Sequence, residues 1–135
     1  MNKINISGIY IYRSLRNDQN VNTNFDDLEF GRGTMDLTQQ DNIVKGIFDT
    51  GGGYKMTMEG TVESDDIHSY LRMTGYDLHG TVTDKWIYDY HGMIVPSWSN
   101  AVKQIPAITG SVIRTVDHGS SKAGVTTTFY MVQGV

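Results

Sequence analysis

Apolar and polar side chains alternate with a period of two along most of this chain, most cleanly between Tyr54 and Val62. There Tyr54, Met56, Met58 and Val62 fall on one side and Lys55, Thr57, Glu59 and Thr61 on the other. This is the signature of a strand with one buried and one wet face, as in an antiparallel sheet. The same reading predicts a strand from Ile4 to Leu15, with Ile9, Ile11 and Arg13 opposed to Tyr10 and Tyr12. Arg32 to Thr38 sets Met35 and Leu37 against Thr34, Asp36 and Thr38, and Ile43 to Asp49 follows after a short turn. Ser69 to Tyr76 opposes Leu71 and Met73 to Tyr70, Arg72 and Thr74. The remaining strands run from Val82 to about Val95, from Ala107 to Val116 and from Val125 to Gln133. No segment carries apolar residues at helical spacing over three turns.

The strand from Val82 is the most aromatic. Trp86, Tyr88 and Tyr90 share one face, and Lys85, Ile87, Asp89 and His91 share the other. Its length suggests a bulge or bend at Gly92. The connections are rich in turn residues. Gly51-Gly52-Gly53 reads as a hairpin turn, because a phosphate cradle needs a helix to follow and a strand follows instead. The Asn- and Asp-rich run from Arg16 to Asp27 is a loop long enough to form a rim or lid. Both prolines, Pro96 and Pro106, bound the longest connection of the second half, where their missing N–H groups disturb no ladder.

About eight strands joined by short turns, with no crossover helix, predict an all-β fold: an antiparallel up-and-down barrel spanning residues 1–135 as one domain. A β-sandwich is the alternative. Closure removes exposed edges, and a barrel of this size has an interior that side chains fill or that holds one small ligand. Fifteen glycines, two prolines and no cysteine agree with strands joined by glycine turns and leave no disulfide, thiolate site or cysteine nucleophile. A formal charge of -4 with scattered Lys and Arg argues against nucleic acid as a partner. No apolar run approaches a membrane span, and the opening Met-Asn-Lys-Ile-Asn-Ile-Ser-Gly lacks the apolar core of a signal peptide. The expectation is a cytoplasmic protein with no membrane partner that forms a homo-oligomer.

An opening Gly8-Ile9-Tyr10 strand, successive hairpins, a tryptophan-bearing late strand and a final strand at the C-terminus resemble the avidin and lipocalin (calycin-type) barrels. Lipocalins typically open with Gly-x-Trp, where this chain has Tyr10, and place a basic residue of the last strand on that tryptophan. The nearest candidate here, Arg114, lies one strand earlier. The closing Thr127-Thr128-Phe129-Tyr130-Met131 is similar to the last strand of allene oxide cyclase-like barrels, which include natural-product cyclases.

Several residues are candidates for chemistry. Trp86, Tyr88 and Tyr90, with Trp98 in the following connection, give a ligand-binding aromatic face; packing in the core or between subunits is the alternative. Met56 and Met58, with Met35 and Met73, give an adaptable wall or simple core filler. Arg13, Arg72 and Arg114 sit mid-strand. One pointing inward must find a partner, and Arg72 and Arg114 are candidates to bind a ligand carboxylate. Asp89, Arg114 and Tyr88 are the candidate acid–base groups, although Asp89 shares no face with its tyrosine neighbours unless the strand bends. His68, His79, His91 and His118 fall in separate turns and strand ends and form no metal-ligand spacing. No metal and no cofactor is called for.

The expected function is binding of a small apolar or aromatic molecule in the barrel cavity, entered near Trp98 and the Arg16 to Asp27 loop. A cofactor-free cyclase, isomerase or lyase in the same cavity is one alternative. A structural homo-oligomeric module with a filled barrel is another.

Overall fold

The computed structural model describes residues 4–77 and 86–134. Eight antiparallel strands follow one another: β1 (Gly8–Arg16), β2 (Glu29–Gln40), β3 (Ile43–Asp49), β4 (Lys55–Ser64), β5 (Ser69–Asp77), β6 (Ile87–Ile94), β7 (Ala107–Arg114) and β8 (Thr126–Gln133). Each pairs with its neighbours in sequence, and β1 pairs with β8, so the sheet closes into an up-and-down barrel. This architecture is consistent with that of the calycins. One 3-10 turn, Phe25–Leu28, is the helical element among the described residues.

Period-two alternation sets the interior. Tyr10 and Tyr12 point inward, whereas Ile9 and Ile11 are each half exposed outside. Met35, Leu37, Phe48, Met56, Met58, Leu71, Met73, Tyr88, Tyr90, Val112, Phe129 and Met131 are among the other side chains of the inner face. Arg13 and Arg72 lie on the exposed face, as their register requires.

So many large side chains fit because glycines stand opposite them. A Cβ on Gly92 would lie 2.7 Å from Ile108 Cγ2 and 3.1 Å from Phe129 Cζ. The expected bulge at Gly92 is therefore corrected. Leu71↔Gly92 and Gly92↔Gly110 fall in unbroken registers, and the glycine makes room for Phe129 rather than bending the strand. The register shift lies instead at Ser14/Leu15, between β1 and β2.

Several boundaries differ from the sequence reading: β2 runs from Glu29 to Gln40 rather than from Arg32 to Thr38, and β7 ends at Arg114 rather than Val116. Residues 4–7 leave the sheet, because side chains take over their backbone groups: Ile6 N–H donates to Gln39 Oε1 at 2.9 Å and Gln133 Nε2 donates to the Ser7 carbonyl at 3.2 Å. Tyr54 belongs to the turn after β3, where its N–H donates to the Gly51 carbonyl at 3.0 Å, and it is 41% exposed rather than buried. β6 begins at Ile87; the expected start at Val82 lies outside the described residues, as does His79.

Alternating connections of an up-and-down barrel emerge at opposite ends. The β1–β2, β3–β4 and β7–β8 connections share one end, called here the open end. The N-terminal segment and the β2–β3, β4–β5 and β6–β7 connections share the other. Trp98, in the β6–β7 connection, is thus across the barrel from the 17–27 loop. The expectation of one mouth formed by both is corrected by this topology.

Candidate functional site

At the open end the inner side chains among the described residues stop short of closing the barrel and leave a cavity of about 490 Å³. Its floor is Tyr12, Phe48 and Tyr90, and its walls include Phe30, Trp86 and Tyr88. The floor is rigid because its rings interlock: Tyr12 meets Phe48 edge-on at 4.7 Å and stacks on Phe129 at 5.5 Å, and Tyr90 meets Phe129 edge-on at 5.8 Å. Burial pushes the Tyr12 and Tyr90 hydroxyls well above the usual tyrosine range, so both remain neutral donors and acceptors.

Arg114 ends β7 on the inner face, two residues beyond Val112, and is 9% exposed. Its Nε–H donates to the Tyr88 hydroxyl at 3.1 Å and its Nη1 to the Lys122 carbonyl at 3.1 Å. The guanidinium lies 5.2 Å from the centre of the Phe30 ring and 5.8 Å from that of Tyr88, within cation–π range. Among the described residues no carboxylate pairs with it. Glu29, which also lines the cavity, is held by Arg32 through contacts of 2.6 and 3.1 Å. That pairing keeps the Glu29 carboxyl below its ordinary pKa.

The Tyr88 hydroxyl also lies 2.8 Å from His118 Nε2. Since Arg114 donates to the tyrosine oxygen, the tyrosine proton is directed to the histidine. Nε2 then accepts, and neutral His118 carries its proton on Nδ1. Burial and the nearby Arg114 charge both lower the His118 pKa, against a smaller opposing effect of Asp117. The imidazole stacks on Trp86 at 4.6 Å, and Trp86 stacks in turn on Tyr54 at 5.6 Å. The His118 backbone is fixed by paired 2.9 Å hydrogen bonds with Ser121 across a turn at Gly119, whose φ is 58°.

Of the residues singled out in the sequence, Trp86, Tyr88, Tyr90, Arg114 and Met56 come together here. Met58 is fully buried in the filled part of the barrel. Arg72 lies outside. Asp89 is on the outer face, where its Oδ1 accepts a 2.8 Å hydrogen bond from Thr74 of the neighbouring strand, so it shares no site with Tyr88. Trp98 is 74% exposed at the far end, beside a second groove with Ile6, Pro96 and Ile108. The 17–27 loop does not line the cavity; the strand after it does, through Glu29 to Arg32. Sequence reasoning missed His118 and Phe30. The first is placed by a loop fold with no local signal, and the second falls between the predicted loop and strand.

Among the described residues no group of three or more His, Asp or Glu stands together to hold a metal ion, and no helix is long and apolar enough to cross a membrane. Comparison of the chain with known protein families, curated proteins and solved structures finds no match.

Proposed function

We propose that this protein binds a small, flat aromatic or otherwise apolar molecule at the open end of its barrel. The observation that carries this reading is the cavity at the open end, lined among the described residues by aromatic side chains above a packed middle of the barrel; the groove at the far end, about 630 Å³, gathers fewer rings and no buried charge among the same residues. A volume of about 490 Å³ falls within the usual range for small-molecule sites, and polar groups converge on one wall. The packed lower barrel fits a purely structural module equally well; the open mouth favours binding. A calycin-type relationship, to lipocalins or to allene oxide cyclase-like barrels, belongs to the same proposal.

A second reading is favoured by one feature. Tyr88 stands between the Arg114 N–H and a neutral imidazole, an arrangement suited to passing a proton. A cofactor-free cyclase, isomerase or lyase would use Tyr88 and His118 there.

Calorimetric titration with uncharged 2-naphthalenemethanol tests the binding reading. The wild type binds, Trp86→Ala binds about tenfold more weakly through loss of a ring contact, and Trp98→Ala is unchanged. Absence of binding to the wild type, or equal weakening by both substitutions, contradicts it.

A further inference from the structure

We propose that the cavity's ligand carries a carboxylate, seated on the guanidinium of Arg114 while its aromatic body lies among the rings. The proposal rests on the binding reading above and specifies the class of molecule bound.

Three observations support it. Arg114 is 9% exposed, yet among the described residues no carboxylate pairs with it. Most buried guanidinium groups pair with an acid of their own chain, because an uncompensated charge is expensive away from water. Next, a guanidinium has five N–H donors, and Tyr88 and Lys122 accept from two of its nitrogens. The remaining donors have no acceptor among the described residues and belong to a side chain that lines the cavity. Finally, among the described residues the lining carries Arg32 and Arg114 against Glu29 alone, in a chain whose total is -4. Since Arg32 and Glu29 satisfy each other, one positive charge is left over among them.

One leftover charge on a planar fork matches a planar monoanion. A carboxylate accepts two parallel N–H bonds from a guanidinium, whereas a phosphate dianion calls for further cations. Phe30 and Tyr88, on which Arg114 lies, restrain the fork and keep water from its faces. The Nε–H bond to Tyr88 and the Nη1 bond to the Lys122 carbonyl hold it from behind, so it need not reorganise when the anion arrives.

The test compares 2-naphthoate, 2-naphthalenemethanol and 2-naphthyl phosphate by calorimetry on the wild type near neutral pH. The expected result is naphthoate binding tighter than the alcohol by roughly tenfold to a hundredfold, the range of a charge-assisted hydrogen bond, with the phosphate weaker than naphthoate. Arg114→Met is expected to abolish the preference for naphthoate over the alcohol, and Arg114→Lys to restore it only in part. Equal affinity for naphthoate and the alcohol overturns the carboxylate site and leaves the binding reading standing. Tightest binding of the phosphate also overturns it. Failure of all three probes to bind removes both. The wild-type ratio decides the matter even if Arg114→Met does not fold.

Discussion

Arg114 occupies an inner-face position of β7 where alternation with Ile108 and Val112 calls for an apolar side chain. Its shared face with Val112 and Val116 was legible in the sequence, but which way that face points was not, because apolar Ile113 lies opposite. Its neighbours were not legible. Phe30 reaches it from β2, and only closure of the sheet through β1 and β8 brings the two together, while His118 comes from the irregular connection that follows Arg114 in its own β7–β8 hairpin. The His118 contact has a measurable consequence. Because burial and the Arg114 charge disfavour the imidazolium, His118 in the folded chain titrates below its ordinary 6.5. As pH falls, the unfolded chain takes up this proton first, so stability present above about pH 6.5 is lost on acidification toward the folded pKa. Asp18, Glu29 and Asp65 also titrate below their ordinary values, but from 3.8, 4.5 and 3.8, so their losses come at lower pH. The groups around His118 are Arg114, Asp117, Tyr88 and Trp86, and of these Asp117 alone favours its charge. Melting temperature between about pH 6.5 and pH 5 is expected to fall in the wild type and to fall less in His118→Phe, which keeps a ring against Trp86. Parallel curves would show that this histidine is not held neutral.

At the level of the strands, alternation sets which side chains face inward, but it is the inward glycines that let the barrel hold its aromatic residues. Gly110 is the tightest case. A Cβ there would lie 1.9 Å from the His91 carbonyl oxygen and 2.7 Å from Gly92 Cα, and backbone atoms in a paired strand cannot step aside. Gly110→Ala is expected to destabilise by about 2 kcal/mol or more in urea unfolding, as overpacking does, whereas Ser111→Ala on the exposed face stays within about 0.5 kcal/mol. Equal effects would mean that β6 and β7 separate readily. The sequence shows Gly92 as a glycine in a long strand, and that signal is the same for a bulge as for a gap left for a partner ring. The partner is Phe129, 37 residues along the chain and across the barrel wall, so local pattern could not separate the two. The strands themselves were nearly all legible because each has one wet face. Their ends were not, where Gln39 and Gln133 capture residues 4–7 by side-chain hydrogen bonds.

For the whole molecule, connectivity divides the barrel into a packed body and two unlike ends. The far end carries exposed Ile67, Trp98 and Val102, and the open end carries the aromatic mouth with Arg114, which no carboxylate pairs among the described residues. Counting connections alone separates Trp98 from the 17–27 loop, so that part of the site was available from strand order. What strand order does not give is where the packing stops, since this depends on side-chain volumes summed across eight strands. The methionines mark that boundary. Met56 lines the cavity, while Met35 and Met131 are fully buried in the packed body. The most direct test is therefore a ¹³C-methyl methionine spectrum recorded while 2-naphthoate is added. Binding in the open mouth is expected to shift the Met56 methyl progressively and to leave the Met35 and Met131 methyls nearly still. An unchanged spectrum at saturating probe, or shifts spread evenly over the packed methionines, would contradict a preformed aromatic site at this end of the barrel.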